Sequence, residues 1–232
     1  MILTITDLTD FSGRDFYCVA GLDADGVCYR PTKSYFSAQE CRENGILPGA
    51  RIEGTFRFLR NSQKPHSEDC SRADVRFAGN CAVLEFFELL RRTVSASLEE
   101  GFGVVLPDYK KCFPHETPPD RSIVTIKVNP RRCWFEISKD GKLKFSFHDS
   151  DNTKYPYVPI ADLKIREYTA FLGLDIAARY LTDFVHEQKT VFLRIGLGRC
   201  HEINGRNGYW LQINGIYSFP AWIPGTRGLV EA

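Results

Sequence analysis

Two Asp-Gly pairs, Asp25-Gly26 and Asp140-Gly141, each lie between short runs in which apolar and polar residues alternate. Alternation with a period of two marks a strand with one buried face, and Asp-Gly between two such runs marks a hairpin. The second hairpin, Arg132 to His148, constrains the chain most because its register can be decided from packing. A loop of Asp140-Gly141 alone sets Ile137 against Lys144 and Phe135 against Ser146, which mixes polar and apolar residues on each face. A loop of Lys139-Asp140-Gly141, with Gly141 in the left-handed conformation of a bulged turn, pairs Ile137 with Leu143, Phe135 with Phe145 and Cys133 with Phe147. The other face then carries Trp134 with Ser146, Glu136 with Lys144, Ser138 with Lys142 and Arg132 with His148. A slip of one residue exchanges the faces, so the second register is expected.

The rest of the chain follows the same theme. Strands are expected over 2–8, 15–21, 27–30, 51–59 and 72–77, with a short helix from Ser37, capped by Glu40 and stopped near Asn44-Gly45. Residues 61–71 read as an exposed loop. Val83, Phe87, Leu90 and Val94 form a helical stripe that predicts a helix over 81–100. The proline-rich stretch 107–119 reads as a linker. Strands are then expected over 122–128, 132–138, 142–148, 157–168, 191–197 and 209–219, with a helix over 174–188. The two hairpin glycines, Gly26 and Gly141, are 141 − 26 = 115 positions apart in a chain of 232, about half its length. The expected fold class is therefore mainly β with a few helices (β-rich α+β). Its expected form is two OB-like five-stranded barrels, over 1–110 with a C-terminal helix and over 119–232.

Charge locates any polyanion site. Lys and Arg number 30 against 29 Asp and Glu, so overall basicity cannot drive nucleic-acid binding and only a local patch can. From Arg121 to Lys144, seven Lys and Arg face only Glu136 and Asp140, a local balance of 7 − 2 = +5. Trp134, Arg132, Lys142 and Lys144 are the leading candidates, since bases stack on an aromatic ring while phosphates meet cations. The hairpin alone leaves a second arrangement open, in which another element covers Trp134 and the lysines form a solvated face. Arg194, Arg199 and Trp210 are further candidates at the other end of this half.

Several segments together resemble the bacterial dual OB domain-containing family. They are Tyr17-Cys18-Val19-Ala20-Gly21 leading to Cys28-Tyr29-Arg30-Pro31, Pro65-His66-x-Glu68-Asp69, Phe192-Leu193-Arg194-Ile195-Gly196-Leu197-x-Arg199, and Tyr209-Trp210-Leu211-Gln212-Ile213-Asn214-Gly215-Ile216-Tyr217-x-Phe219-Pro220. The resemblance implies two OB-like barrels and nucleic-acid binding within a bacterial anti-phage system, and brings no catalytic residues with it.

The expected function is a non-catalytic subunit binding single-stranded DNA or RNA beside a protein partner. The alternatives are a protein-interaction module, and a metal-dependent nuclease using His148, Asp149 and Asp151, residues that equally suit a turn after a strand. No Walker-type loop and no Gly-x-Ser-x-Gly is present. None of the eight cysteines forms a CxxC pair, so neither zinc nor another metal or cofactor is expected, and the thiols read as reduced core residues. No apolar run approaches the roughly 18 residues needed to span a bilayer, and Met1 to Asp10 lacks a signal-peptide pattern, so the expected location is the cytoplasm with no membrane contact.

Overall fold

The computed structural model describes residues 1–10, 15–107 and 111–230. The N-terminal half contains β1 (Ile2–Asp10), β2 (Phe16–Leu22), β3 (Cys28–Pro31), β4 (Phe36–Ser37), α1 (Ala38–Glu43), β5 (Ala50–Phe58) and β6 (Asp69–Asn80). Strands pair in the order β1-β5-β6-β3-β2, and β2 returns to β1, which closes a five-stranded barrel. β3 and β6 run parallel, with Arg30 beside Asp69, and the other contacts around the ring are antiparallel. Leu3, Ile5, Val19, Phe36, Ile52 and Phe56 fill the interior. Helix α1 starts where the sequence signals it. The Glu40 N–H donates to Ser37 Oγ at 3.0 Å and the Ser37 N–H donates to Glu40 Oε2 at 3.4 Å, satisfying two of the donors a helix start leaves free.

The C-terminal half is built differently. Its elements are α2 (Val83–Arg92), β7 (Val94–Ser95), α3 (Leu98–Phe102), β8 (Cys112–Pro114), β9 (Ile123–Val128), a 3-10 turn (Pro130–Arg132), β10 (Cys133–Ile137), β11 (Leu143–His148), β12 (Lys154–Pro159), α4 (Leu163–Leu172), α5 (Leu174–His186), β13 (Thr190–Leu197), β14 (His201–Ile203) and β15 (Arg206–Phe219). One sheet has the order β14-β15-β13-β9-β7 with β8 on β15, and a separate three-stranded sheet has the order β10-β11-β12. The two sheets share one core of Phe135, Phe145, Phe147, Ile126, Leu193 and Ile213, completed by Leu181 and Val185 of α5.

The hairpin takes the register expected from its faces: Cys133 pairs Phe147, Trp134 pairs Ser146, Phe135 pairs Phe145, Glu136 pairs Lys144 and Ile137 pairs Leu143. Gly141 has φ +69°, the left-handed value the bulged loop needs. The expected second closed barrel is corrected. After β9, Asn129 and Pro130 turn the chain, and the free edge of β10 meets α5 instead of a strand. The Phe135 N–H donates to Thr182 Oγ1 at 2.9 Å, and His186 Nε2–H donates to the Cys133 carbonyl at 2.8 Å. Helix side chains satisfy a sheet edge that barrel closure would otherwise have to pair.

Other expectations change as well. The helix over 81–100 is two helices with β7 between them, because Thr93 ends α2 and Ser97 caps α3. Its apolar face packs on the second sheet, where Phe86 and Leu90 cluster with Phe192, Tyr217 and Phe219. The strand expected over 157–168 is β12 followed by α4, since Asp162 caps the N–H groups of Lys164 and Ile165. The expected linker 107–119 contributes β8, with Cys112 and Phe113 fully buried; residues 108–110 of that stretch lie outside the described residues.

The halves meet over polar contacts sealed from water. Arg194 donates from Nε and Nη2 to Asp7 Oδ2 at 3.0 and 2.8 Å, with both side chains 2% exposed. Glu68 accepts from Ser122 N–H, Ile123 N–H and Ser122 Oγ at 2.7, 3.0 and 3.1 Å. The loop expected to be exposed over 61–71 is so at Asn61, Gln63 and Lys64, but its second part clasps the halves together: His66, Glu68 and Asp69 are all buried. Near its end the chain returns to the first half, where Val230 bridges Ala82 and the Gly228 N–H reaches the Pro48 carbonyl.

Candidate nucleic-acid interface

Strand alternation turns Phe135, Phe145 and Phe147 into the core and leaves Trp134 and Lys144 on the outer face of β10-β11-β12. Trp134 is half-buried, with its ring centroid 5.8 Å from that of His148 and the Lys154 ammonium 5.1 Å over its face. A bulge in β12 adds a second aromatic. Register shifts between Phe145 and Phe147, the Tyr157 N–H donates to Ser146 Oγ at 2.8 Å, and Tyr157 is left 44% exposed. The Lys111 ammonium lies 5.8 Å over that ring.

Beside the platform runs a groove of about 650 Å³, lined among others by Lys127, Asn129, Arg132, His148, Ser150 and Lys189. Lys127, Arg132 and Lys189 form no ion pair with any described residue. The lining carboxylate, Asp149, is 6% exposed and accepts the Thr153 N–H at 3.0 Å, so it is engaged in its own turn. Cations left without partners beside an aromatic face attract a polyanion, with little local carboxylate to compete.

The sequence candidates separate into four places. Arg132 lines this groove, and Trp134 adjoins it through its ring contact with His148. Lys142 and Lys144 lie toward the hairpin tip, where they line a different groove with α4. Lys142 is 3.5 Å from Asp140, while burial, then the balance of Asp140 against Lys142 and Lys111, holds the Lys144 ammonium below its ordinary value. Arg199 and Trp210 form a cluster at β14–β15, where Arg199 donates to Asp69 Oδ2 at 2.7 Å and the Trp210 indole N–H donates to the His201 carbonyl at 3.1 Å.

Arg194 is corrected outright as a ligand contact. It shares a strand face with Phe192, as alternation requires, yet that face meets the N-terminal barrel rather than water. Burial works against its charge, and Asp7 and Cys28 together more than offset this, so the guanidinium is held above its ordinary value; at 2% exposed it is out of reach of a surface-bound phosphate. The sequence did not single out Tyr157, Lys154, Lys111, Lys127 or Lys189, because a bulge and the meeting of distant segments bring them to this surface. The His148-Asp149-Ser150-Asp151-Asn152 run forms a turn, with Asn152 at φ +64° donating its N–H to the Asp149 carbonyl. Among the described residues no three His, Cys, Asp or Glu side chains are placed to hold a metal ion.

His66 shows how the neighbouring clasp is wired. Arg30 can only donate, so at 2.8 Å His66 Nδ1 accepts and the neutral ring carries its proton on Nε2. Burial, then Arg30 and Arg199, push its pKa down to about 3. Among the described residues no helix is long and apolar enough to cross a membrane. Comparison of the chain with family models, with curated proteins and with solved structures returned no match, so the fold and this surface stand on their own geometry.

Proposed function

We propose that this protein binds single-stranded nucleic acid as a non-catalytic subunit, with bases on the Trp134–Tyr157 platform and phosphates along the groove of Lys127, Arg132 and Lys189. The observation that carries the reading is a half-exposed indole beside three cations that no described carboxylate neutralises. We also read the closed first barrel as an OB module, since its strand order and its single parallel pair, β3 with β6, suit that Greek-key barrel. The C-terminal half is then an opened relative in which α5 replaces one strand pairing.

The test is anisotropy of labelled single- and double-stranded DNA and RNA across a salt series. Affinity for single strands falls steeply with salt, and Trp134→Ala weakens it about tenfold or more, the effect of losing about 1–3 kcal/mol of stacking. The thermal midpoint of that variant stays within a few degrees of the parent. Salt-independent binding, or oligonucleotide affinity unchanged in Trp134→Ala, overturns the reading.

A further inference from the structure

The hairpin tip and α4 enclose a groove of about 690 Å³ that the proposed nucleic-acid surface does not use. Leu143, Ile160, Ile165 and Leu174 contribute aliphatic surface to it, Lys142, Lys144 and Arg166 contribute cations, and no Asp or Glu is among its lining residues. The three cations differ in how far they are satisfied. Arg166 lies 3.1 Å from Asp10 and Lys142 lies 3.5 Å from Asp140, whereas Lys144 is half-buried with no ion-pair partner among the described residues. A cation that has lost part of its hydration without gaining a carboxylate is a standing attraction for an anionic group brought by something else. The helices that flank the groove also expose apolar side chains, Phe171 of α4 at 84% and Ile176 and Tyr180 of α5 at 62% and 40%.

The chemistry selects one kind of occupant. A nucleic-acid strand wants aromatic rings to stack on, and the lining residues of this groove include none. A protein segment that carries carboxylates between aliphatic or aromatic anchors matches both features, since its charges meet the lysines while its apolar side chains reach Leu143, Ile160 and Leu174. We propose that the groove between the β10–β11 hairpin tip and α4 is the docking site for an acidic, apolar-anchored segment of a partner protein. The same hairpin then carries two ligands at its two ends: nucleic acid at the Trp134 end and a protein segment at the Gly141 end.

The experiment is selection of a random peptide library displayed on phage against the intact protein, with counter-selection on Lys142→Glu/Lys144→Glu. The enriched peptides are Asp- and Glu-rich with aliphatic or aromatic residues between the acids. A synthetic copy of one, labelled for anisotropy, loses affinity about tenfold or more both in Lys142→Glu/Lys144→Glu, which replaces two cations by carboxylates, and in Ala170→Glu, which sets a new carboxylate against the acidic peptide. Ala170 is exposed on α4 and lines the groove, so its substitution reports on the groove while sparing the core. Trp134→Ala leaves peptide binding unchanged. Enrichment of basic peptides, no enrichment over the counter-selected variant, or displacement of the peptide by a thymidine oligonucleotide overturns the proposal. So does concentration-dependent dimerisation abolished by the same substitutions, which makes the occupant a second copy of the chain.

Discussion

Arg194 and Asp7 set a charge pair against almost no water, and in that setting removing one partner is worse than removing both. Arg194→Met leaves a buried carboxylate whose Oδ1 already lacks a hydrogen bond, and is expected to cost about 3–5 kcal/mol in chemical denaturation. Adding Asp7→Asn to that variant recovers part of the loss; a double variant as unstable as the single shows that the pair does not act as a unit. His66 makes the matching prediction in pH. Its folded pKa of about 3 lies below the ordinary 6.5, so in acid the unfolded chain takes up the proton more readily than the folded one. Stability from His66 is therefore complete above about pH 6.5 and falls as the pH drops toward about 3. His66→Gln flattens that part of the thermal-midpoint curve, and an unchanged acid slope shows that other groups set it. Neither residue revealed its place in the sequence: alternation assigned Arg194 to the correct face of β13, but only tertiary packing decides whether that face meets water or another sheet.

At the scale of elements, α5 is the part without which the second sheet assembly has an open edge. Thr182→Val keeps the shape of the side chain while leaving the Phe135 N–H without its acceptor, at a cost of about 1–3 kcal/mol. Hydrogen exchange at Phe135 accelerates in that variant; exchange equal to the parent means the edge is protected by something other than the helix. Elements whose local chemistry agrees with the fold were readable from sequence. The Asp140-Gly141 hairpin was fixed to the residue by its own faces, and the Ser37–Glu40 box by its spacing. Elements decided by distant partners were not. The segment following Pro159 has aromatic and β-branched residues that suit a strand, and becomes helix because Asp162 caps it and Arg227, far along the chain, holds Asp162 at 2.7 Å. The Pro65 to Asp69 stretch looked exposed because it is polar, yet its polar groups are spent on Arg30, Arg199 and the start of β9. For the candidate surface the division is the same: Trp134 and Arg132 are two positions apart and lie close together, while Lys127 comes from β9 and Lys189 from the residue before β13.

For the whole molecule, contacts between the halves are too many and too buried for the halves to behave as beads on a string. Tyr217 donates its hydroxyl to the Thr6 carbonyl, Glu68 holds the start of β9, and Asp162 bridges Thr9. Heat unfolding is expected as one calorimetric transition with matching calorimetric and van't Hoff enthalpies, and fragments 1–110 and 119–232 made separately bind hydrophobic dyes and fail to give sharp melts. Two resolved transitions, or a fragment 1–110 that melts cooperatively alone, count against this. The helix α2 carries one more implication. Its apolar residues Phe86 and Leu90 are covered by Phe192, Tyr217 and Phe219, more than a hundred positions later. A ribosome making this chain must therefore hold out a greasy helix whose cover has not yet been made for much of synthesis, the kind of segment that a nascent-chain chaperone shields.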